Sequence, residues 1–550
     1  MKLLIRSTSF LMNDISYWNN LKRYNLKFAK YNNIFQLDGI KNNPPFDITI
    51  LFLQDFIENF NGENNKKKIN KLSKLIERKI SLQKETNHIF FVSSYSYVNV
   101  INSLKFNDIN NINRNFLLKS LYNFSKKYQN IFVVNLDDVF SLNGLKNCFD
   151  NRNFSMLRCR LSLEGISILA TKIEEVINSF IKPKKKVLLL DCDNTLWGGV
   201  VGEEGPEKIQ LGQDGIGLAF LNFQKAIKKL KDSGIILSIL SKNNEKDIKN
   251  IFKTHKGMIL KDKDITSYKV NWNEKSDNIK NLSKELSLDP NSFVFWDDNP
   301  IEREKVKSNF PNIDVIFPDK EISNWSKQLM EYAGFSKYSI TEDDLKKTQQ
   351  YKSRSIFIDS KSNAKNEALF LKKLKIKPKL IKIDRSNIDR AVQLSNKTNQ
   401  FNFNSKRLNL SDFIKTKNHY NYLLRLKDDL GDHGYIGLIS FKISKNLMLV
   451  DQLVLSCRIL GRYSEYWLLN QIKKIAKSKK VKNLIFEFIK TDKNQVACKF
   501  IEDNDFENLK KKEISNLNLK KIFKKFLNKK KSELLNLKLD CKIKYLGIYE

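Results

Sequence analysis

Four apolar residues, Val187 to Leu190, run directly into Asp191-Cys192-Asp193, and Thr195 follows. A short unbroken apolar run is the mark of a strand buried on both faces, as in a parallel sheet. Ending such a strand on two carboxylates costs free energy unless their charges are solvated, paired or bound to a cation. The same pattern recurs twice. IILSIL (235–240) ends on Ser241 and Lys242, and SFVFW (292–296) ends on Asp297 and Asp298. Helical stretches lie between: 214–234 with a glycine stop at Gly234, NEKDIKNIFKTH, and a helix opened by Lys275. Strands alternating with helices predict a doubly wound parallel-sheet α/β domain, whose ligands sit beyond the carboxyl ends of the strands.

At 550 residues the chain is too long for one core. Before the acidic strand, LLIRSTSF, DITILFLQDF, NHIFFVSSY and NIFVVNLDDV read as buried strands, and KKINKLSKLIERKISLQ and 164–181 read as covering helices. Pro183, among lysines, marks a boundary. The expected organisation is an α/β domain over 1–182, the acidic α/β domain over 183–340, a polar, partly helical linker over 341–365, and an α+β domain over 366–550. KIKYLGIYE, after a Lys-rich helical tail, reads as a last strand.

Composition excludes several classes. The six cysteines form no C-x-x-C pair, which argues against zinc ribbons and redox motifs. No apolar stretch reaches membrane-spanning length, and Arg6 interrupts the apolar start, so the chain reads as soluble and cytoplasmic with no membrane partner. The net charge of +37 is spread along the whole chain. With no zinc finger, helix-turn-helix or RNP motif, it argues for codon bias rather than a nucleic-acid partner.

The strand-end residues suggest phosphoryl chemistry. Asp191 is placed to attack phosphorus and Asp193 to give and take the proton. Ser241, Lys242 and Thr195 would hydrogen-bond the phosphoryl group, and Lys275 would balance its charge. Asp191, Asp193, Asp297 and Asp298 would hold Mg²⁺, which suits hard carboxylate oxygens and leaves room for phosphate. D-x-D-x-T alone is equally a solvated strand end; the convergence of three such ends is the stronger signal.

These residues resemble the four motifs of the haloacid dehalogenase (HAD) superfamily. LLLDCDNTLWGGVVGEEG, LSKNN, NWNEKSDNI and VFWDDNPIERE resemble more narrowly the FkbH-like family, HAD subfamily IIIC. The short span between the first two motifs leaves little room for a large cap. Cys192, inside D-x-D, reads as a small core residue.

Two further blocks, QLSNKTNQFNFNSKR and LVLSCRILGRYSEYWLL, also resemble FkbH-like sequences, and NKTNQFN reads as pinning a helix end onto a sheet. In the second block a strand, a glycine turn and a helix start form a phosphate-binding pattern. It resembles the R-x-x-G-x-G/A loop of GNAT-type acyltransferases, with Arg458 and Gly461 matching and Tyr463 departing. Arg458, Gly461 and Arg462 are thus expected to hold a phosphopantetheine arm. Cys457, beside Arg458 and a helix start, is either an acyl-thioester carrier or a core cysteine. His433 is either an acyl-transfer base or a turn histidine. The N-terminal region resembles an SGNH-hydrolase-like (flavodoxin-like α/β) domain. Ser7 or Ser9 could stand in its nucleophile block and Asp150 in its late block; with His88 as the region's one histidine, it reads as non-catalytic.

The resemblance implies an enzyme that removes phosphate from 1,3-bisphosphoglycerate and loads the glyceryl unit on an acyl carrier protein thiol. Attack of Asp191 on phosphorus would waste the activated acyl group, so two alternatives stand beside it. One is a phosphatase of a sugar- or nucleotide-linked phosphate. The other is a GNAT-type acyltransferase of glycan or secondary-metabolite assembly with a binding-only HAD site.

Overall fold

The computed structural model describes residues 2–7, 11, 15–29, 47–53, 70–71, 74, 77, 87–93, 109–128, 130–181, 184–335, 342–384, 386–408, 410–413, 419–510, 512–513, 517, 533–541, 543 and 546–549. They fall into two compact units, Met1–Lys182 with Ser336–Tyr338, and Pro183–Phe335 with Ser339–Glu550.

The first unit is a five-stranded parallel sheet: β1 (Lys2–Ser7), β2 (Asn25–Phe28), β3 (Ile48–Leu53), β4 (Asn87–Val92) and β5 (Ile131–Asn135). Its order, β2-β1-β3-β4-β5, is that of a doubly wound flavodoxin-like sheet. β1, β3, β4 and β5 are the four expected runs; β2 was not legible, being a half-exposed edge strand with no apolar run. Helices α1 (Ile109–Lys127) and α2 (Leu163–Ile181) accompany it. The helix expected at 67–83 lies mostly outside the described residues. Ser9 lies outside them too, as does the side chain of Ser7. Asp150 caps the helix Asn151–Leu157 by accepting from Arg152 N at 2.8 Å, and His88 is buried inside β4. Of the SGNH-type candidates, the structure thus describes Asp150 as a helix cap, while the serine side chains lie outside the described residues.

The second unit holds two sheets. The first has order β10-β9-β6-β7-β8, built from β6 (Val187–Leu190), β7 (Ile236–Ser241), β8 (Ile265–Val270), β9 (Phe293–Trp296) and β10 (Asp314–Ile316), all parallel. Every residue of β6, β7 and β9 is buried, as unbroken apolar runs require. Helix α3 (Gly215–Asp232) buries Phe220, Phe223, Ile227 and Leu230, spaced three and four apart. Gly234 then turns at φ +88°, and a Cβ there would meet the Asp344 carbonyl at 2.4 Å. Asn244 caps α4 (Glu245–Thr254). Glu274 precedes α5 (Lys275–Leu286), and Asn299 with Pro300 opens α6 (Pro300–Asn309). These caps turn each helix N-terminus toward the carboxyl edge of the sheet.

The second sheet is mostly antiparallel, with order β11-β13-β14-β15-β16-β18-β17 and β12 beside β15. Its strands are β11 (Lys377–Lys382), β12 (Phe401–Asn402), β13 (His419–Asp428), β14 (Gly431–Ser444), β15 (Leu447–Leu455), β16 (Asn483–Phe488), β17 (Phe506–Asn508) and β18 (Glu533–Leu537). This is the α+β region expected. Where KIKYLGIYE is described, Leu546–Ile548 form a 3₁₀ turn and not the expected strand; the last described strand in the chain is β18.

The stretch expected as a linker is largely a packed helix, α7 (Lys347–Ser362). It buries Tyr351, Arg354 and Phe357 between α5 and β8 on one side and β14 and the Cys457 turn on the other. Its polarity resembles a linker's, but several of its polar groups are buried in hydrogen bonds to the flanking elements. Ser355 donates to Glu285, and Arg354 donates to the Arg458 carbonyl at 3.0 Å.

Candidate active site

Because β9, β6 and β7 are neighbours, their carboxyl ends place Asp297, Asp191 and Ser241 side by side. One carboxylate oxygen each from Asp191, Asp297 and Asp298 lie within 4.8 Å of one another. Lys275, first residue of α5, reaches into the group with its Nζ 2.5 Å from Asp297 Oδ2 and 3.2 Å from Asp191 Oδ1. Burial works against the Lys275 charge, but Asp191 and Asp297 outweigh it and hold the ammonium well above the usual lysine range.

Three carboxylates against one ammonium leave excess negative charge in a buried place. Burial and the charge of Asp191 push the Asp297 carboxyl up to about 7 despite Lys275, and raise Asp298 as well. Asp191 Oδ1 is buried, with Lys275 Nζ at 3.2 Å as its one charged partner, so the single ammonium is shared between Asp191 and Asp297. Three carboxylates converging on one point with so little compensation fit a hard divalent cation, and the all-oxygen donor set suits Mg²⁺.

This predicts a pH signature. A carboxyl whose folded pKa is about 7, against an ordinary value of 3.8, stabilises the fold while it holds its proton. That stability is complete below about pH 4 and is lost as pH rises through about 7. In EDTA the melting temperature should carry this loss, and the gain on adding Mg²⁺ should grow across the same window. Thermal unfolding with and without Mg²⁺ measures it; a gain independent of pH contradicts the assignment.

Asp193 does not join the group. Its Oδ1 accepts from Trp197 Nε1 (3.0 Å) and Val201 N (3.2 Å), and its Oδ2 from Asn243 Nδ2 (2.7 Å). The carboxylate is thus held by three donors as an acid or base and is not among the gathered oxygens, where it was expected as a fourth metal ligand. Asn194, at φ +51°, and Gly199, at φ +94°, make the turn after β6, with Gly199 N donating to Asn194 Oδ1. Burial raises the Asp193 carboxyl, which suits proton transfer, while its three donors oppose the shift.

Thr195 is fully buried and exchanges hydrogen bonds with Asp298 (3.2 and 3.3 Å), so it orients that carboxylate rather than contacting a substrate. Lys242 pairs with Glu302 at 3.0 Å and Glu274 at 3.5 Å and is likewise not turned to the phosphoryl position. Ser241 is buried at the end of β7, within hydrogen-bonding reach of the Cys192 thiol. Cys192 is fully buried, as a small core residue should be.

Asn243 and Arg303 were missed. Arg303 Nη1 donates to the carbonyls of Asp297 (2.7 Å) and Asp298 (2.6 Å). Both residues lie inside the motifs LSKNN and DDNPIERE, but nothing in their spacing says which acidic residue each would hold.

The second expected group of residues is enclosed by other parts of the chain. Arg458 is 4 % exposed and Arg462 fully buried. Arg354 occupies the carbonyls of Arg458 and Leu460, and Lys361 lies 3.4 Å from that of Gly461. The Arg462 guanidinium stacks over Phe357 at 4.0 Å and pairs with Asp428 at 2.7 Å, and Asp428 also bonds His433 at 2.8 Å. Helix α7 thus roofs the turn expected to take phosphopantetheine, and His433 is a buried structural histidine. Cys457 packs with Tyr351 and the core beside α5 and β10. It sits by Ser287 at the far end of α5, because Arg354 bridges Ser287 and the Arg458 carbonyl. A helix of 12 residues is about 18 Å long, so Cys457 lies roughly that far from Lys275.

The block NQFNFN closes the other opening. β15 and β16 pair only over 447–450 and 483–486 and then part. An extended ligand could add as a strand in such a gap. Here Phe401–Asn402 pair with β15, Phe403 N donates to Leu453 O (3.1 Å), and Ile489 N to Phe403 O (2.7 Å). The block therefore pins the end of α8 (Ile388–Lys397) onto the sheet and fills the gap with its own backbone.

The chain is similar to the N-terminal part of the protein BF1531 from Bacteroides fragilis, a structure containing a phosphatase domain complexed with Mg. The two are 28% identical, covering 62% of this chain and 94% of that one, with a TM-score of 0.51. It also aligns with the ribosomal-protein-S18-alanine N-acetyltransferase from Escherichia coli (9% identity, 31% of this chain, 99% of that one, TM-score 0.22). A GNAT-family acetyltransferase from Staphylococcus aureus gives 12% identity over 30% of this chain and 100% of that one, with a TM-score of 0.23. Likenesses as low as these last two carry no argument here. No family model and no curated protein matches the chain. The acidic sheet has the parallel α/β form of a HAD-like phosphatase domain.

Proposed function

We propose that the chain is a Mg²⁺-dependent enzyme that transfers or hydrolyses the phosphoryl group of a small phosphorylated substrate. The observation that carries this is the meeting of Asp191, Asp297 and Asp298 around one point with Lys275 beside it. The 28% identity to a phosphatase-domain structure holding Mg supports it.

Asp191, Asp297 and Asp298 would hold the cation. Bound there, Mg²⁺ supplies positive charge against the phosphoryl oxygens. An oxygen of Asp191 attacks phosphorus, and the bond to the leaving oxygen breaks as Asp193 gives that oxygen a proton. A second acceptor, water in the hydrolytic case, then attacks the aspartyl-phosphate, gives its proton to Asp193 and frees Asp191. Lys275 balances charge on the group in flight. The span between β6 and α3 contains one four-residue helix, Val201–Glu204, and no cap domain, which leaves the edge open to a bulky substrate.

The finer reading, in FkbH-like terms, is 1,3-bisphosphoglycerate as donor and an acyl carrier protein thiol as acceptor. With Cys457 at the far end of α5, that thiol would have to reach the donor directly. The phosphatase reading is favoured by the same observation, since it needs no second centre. The roofed turn and filled gap speak against a GNAT-type acyl transfer at residues 457–462.

Phosphate release from an aryl phosphate should require Mg²⁺, stop in EDTA, and stay within about twofold in Cys457→Ala, a change remote from the phosphoryl site. Intact mass of a phosphopantetheinylated carrier, after incubation with bisphosphoglycerate and Mg²⁺, separates the two readings: a glyceryl adduct supports transfer, free phosphate without adduct supports hydrolysis. Absence of both products removes the proposal.

A further inference from the structure

Between β9 and α6 the chain makes a sharp exit, and both metal-facing carboxylates of that exit stand on consecutive residues, Asp297 and Asp298. Two peptide planes must be fixed there for the two side chains to aim at one point. Asp297 Oδ1 accepts from Asn299 N at 2.9 Å, and Thr195 holds Asp298. Asn299 N lies in the peptide plane of the Asp298 carbonyl, and Asp298 N, which donates to Thr195 Oγ1 at 3.3 Å, in that of the Asp297 carbonyl, so these contacts hold the N–H edge of each plane and leave the carbonyl edge.

Arg303 holds the carbonyl edge. It lies in the first turns of α6, and its Nη1 donates at 2.7 Å to the Asp297 carbonyl and at 2.6 Å to the Asp298 carbonyl. Both are short charge-assisted bonds from one nitrogen, so the two planes are tied to each other as well as to the helix. The guanidinium is itself steadied on the far side by Phe317, whose ring centre is 5.4 Å from Cζ. Nothing else described occupies these two carbonyls.

We propose that Arg303 is a positioning residue that sets the divalent-cation affinity of the Asp191–Asp297–Asp298 group by locking the peptide planes of Asp297 and Asp298. It rests on the metal reading given above. Arg303 holds the backbone and makes no contact with substrate. Groups that orient ligands in this indirect way typically carry about 10- to 100-fold in metal affinity.

The test uses the full chain and Mn²⁺ as the probe, read by the electron paramagnetic resonance of free Mn²⁺, with Mg²⁺ competition as a check. Arg303→Met keeps the length of the side chain and removes every donor; its Mn²⁺ dissociation constant should rise by about 10- to 100-fold. Turnover at saturating Mg²⁺ should stay within a few-fold of wild type, while the Mg²⁺ concentration for half-activity shifts. Arg303→Lys, with a single ammonium, should fall between wild type and the methionine variant. If Arg303→Met does not fold, Arg303→Lys decides alone through a weakened Mn²⁺ affinity. A folded variant that melts lower yet binds Mn²⁺ like wild type overturns the proposal, because its role is then structural only. Failure of the wild-type chain to bind Mn²⁺, with Asp297→Asn giving the same trace, overturns the metal reading instead.

Discussion

Asp191→Asn should lower Mg²⁺-dependent phosphate release roughly 10⁴-fold or more, as loss of an attacking group does in other covalent mechanisms. The amide keeps the shape of the carboxylate but lacks its nucleophilic charge. The fold should survive. Asp191 is one of three carboxylates gathered within 4.8 Å, and its charge helps to raise both Asp297 and Asp298. Removing it relieves repulsion, so the melting temperature in EDTA should not fall, while the gain on adding Mg²⁺ should shrink. Paired thermal melts and a phosphate assay read both effects. A variant that keeps more than a tenth of wild-type turnover rules out attack by Asp191.

Lys275→Met should have the largest effect on stability. The ammonium is 4 % exposed, and its partner carboxylate on Asp297 is fully buried. Taking one member from such a pair leaves an uncompensated buried charge and costs about 3–5 kcal/mol. Urea unfolding in EDTA should show this loss. Mg²⁺ should restore part of it, because a cation at the same carboxylates offsets the same charge. Turnover at saturating Mg²⁺ should still fall by roughly 10²- to 10³-fold, as when a charge-stabilising donor is removed. Equal stability of variant and wild type in EDTA would mean that the pair contributes nothing to the fold.

These two residues were legible in the sequence for a simple reason. Asp191 and Lys275 sit at the joints between strong apolar runs and helices, and the parallel α/β rule brings all such joints to one edge. The residues whose side-chain partners were not legible share another trait. Thr195, Lys242 and Asp193 are within a few positions of the site, yet their side chains serve Asp298, Glu302 and Asn243. One residue of difference along a turn reverses where a side chain points, and spacing alone does not record that. Arg303 and Asn243 were overlooked because a basic or amide residue near a helix start is common and announces no partner.

The mostly antiparallel sheet of the second unit shows the limit more plainly. Arg458, Gly461 and Cys457 satisfy the local pattern of an anion-binding turn, strand to glycine to helix. Their use depends on a segment about a hundred residues earlier, α7, whose Arg354, Phe357 and Lys361 roof that turn. Likewise β15 and β16 leave a gap, and residues 401–404 fill it from elsewhere in the chain.

By itself, then, the amino-acid order determined the alternation of strands and helices, the edge on which the acidic groups gather, and the carboxylate proposed to attack phosphorus. Those follow from local periodicity and from the direction in which parallel strands run. Which turn stays open, which carboxylate faces the cation, and which carbonyls are held were decided only by tertiary structure. They depend on which distant segment comes to fill the space and bond the polar groups there, a competition between parts of the chain that no window of neighbouring residues contains.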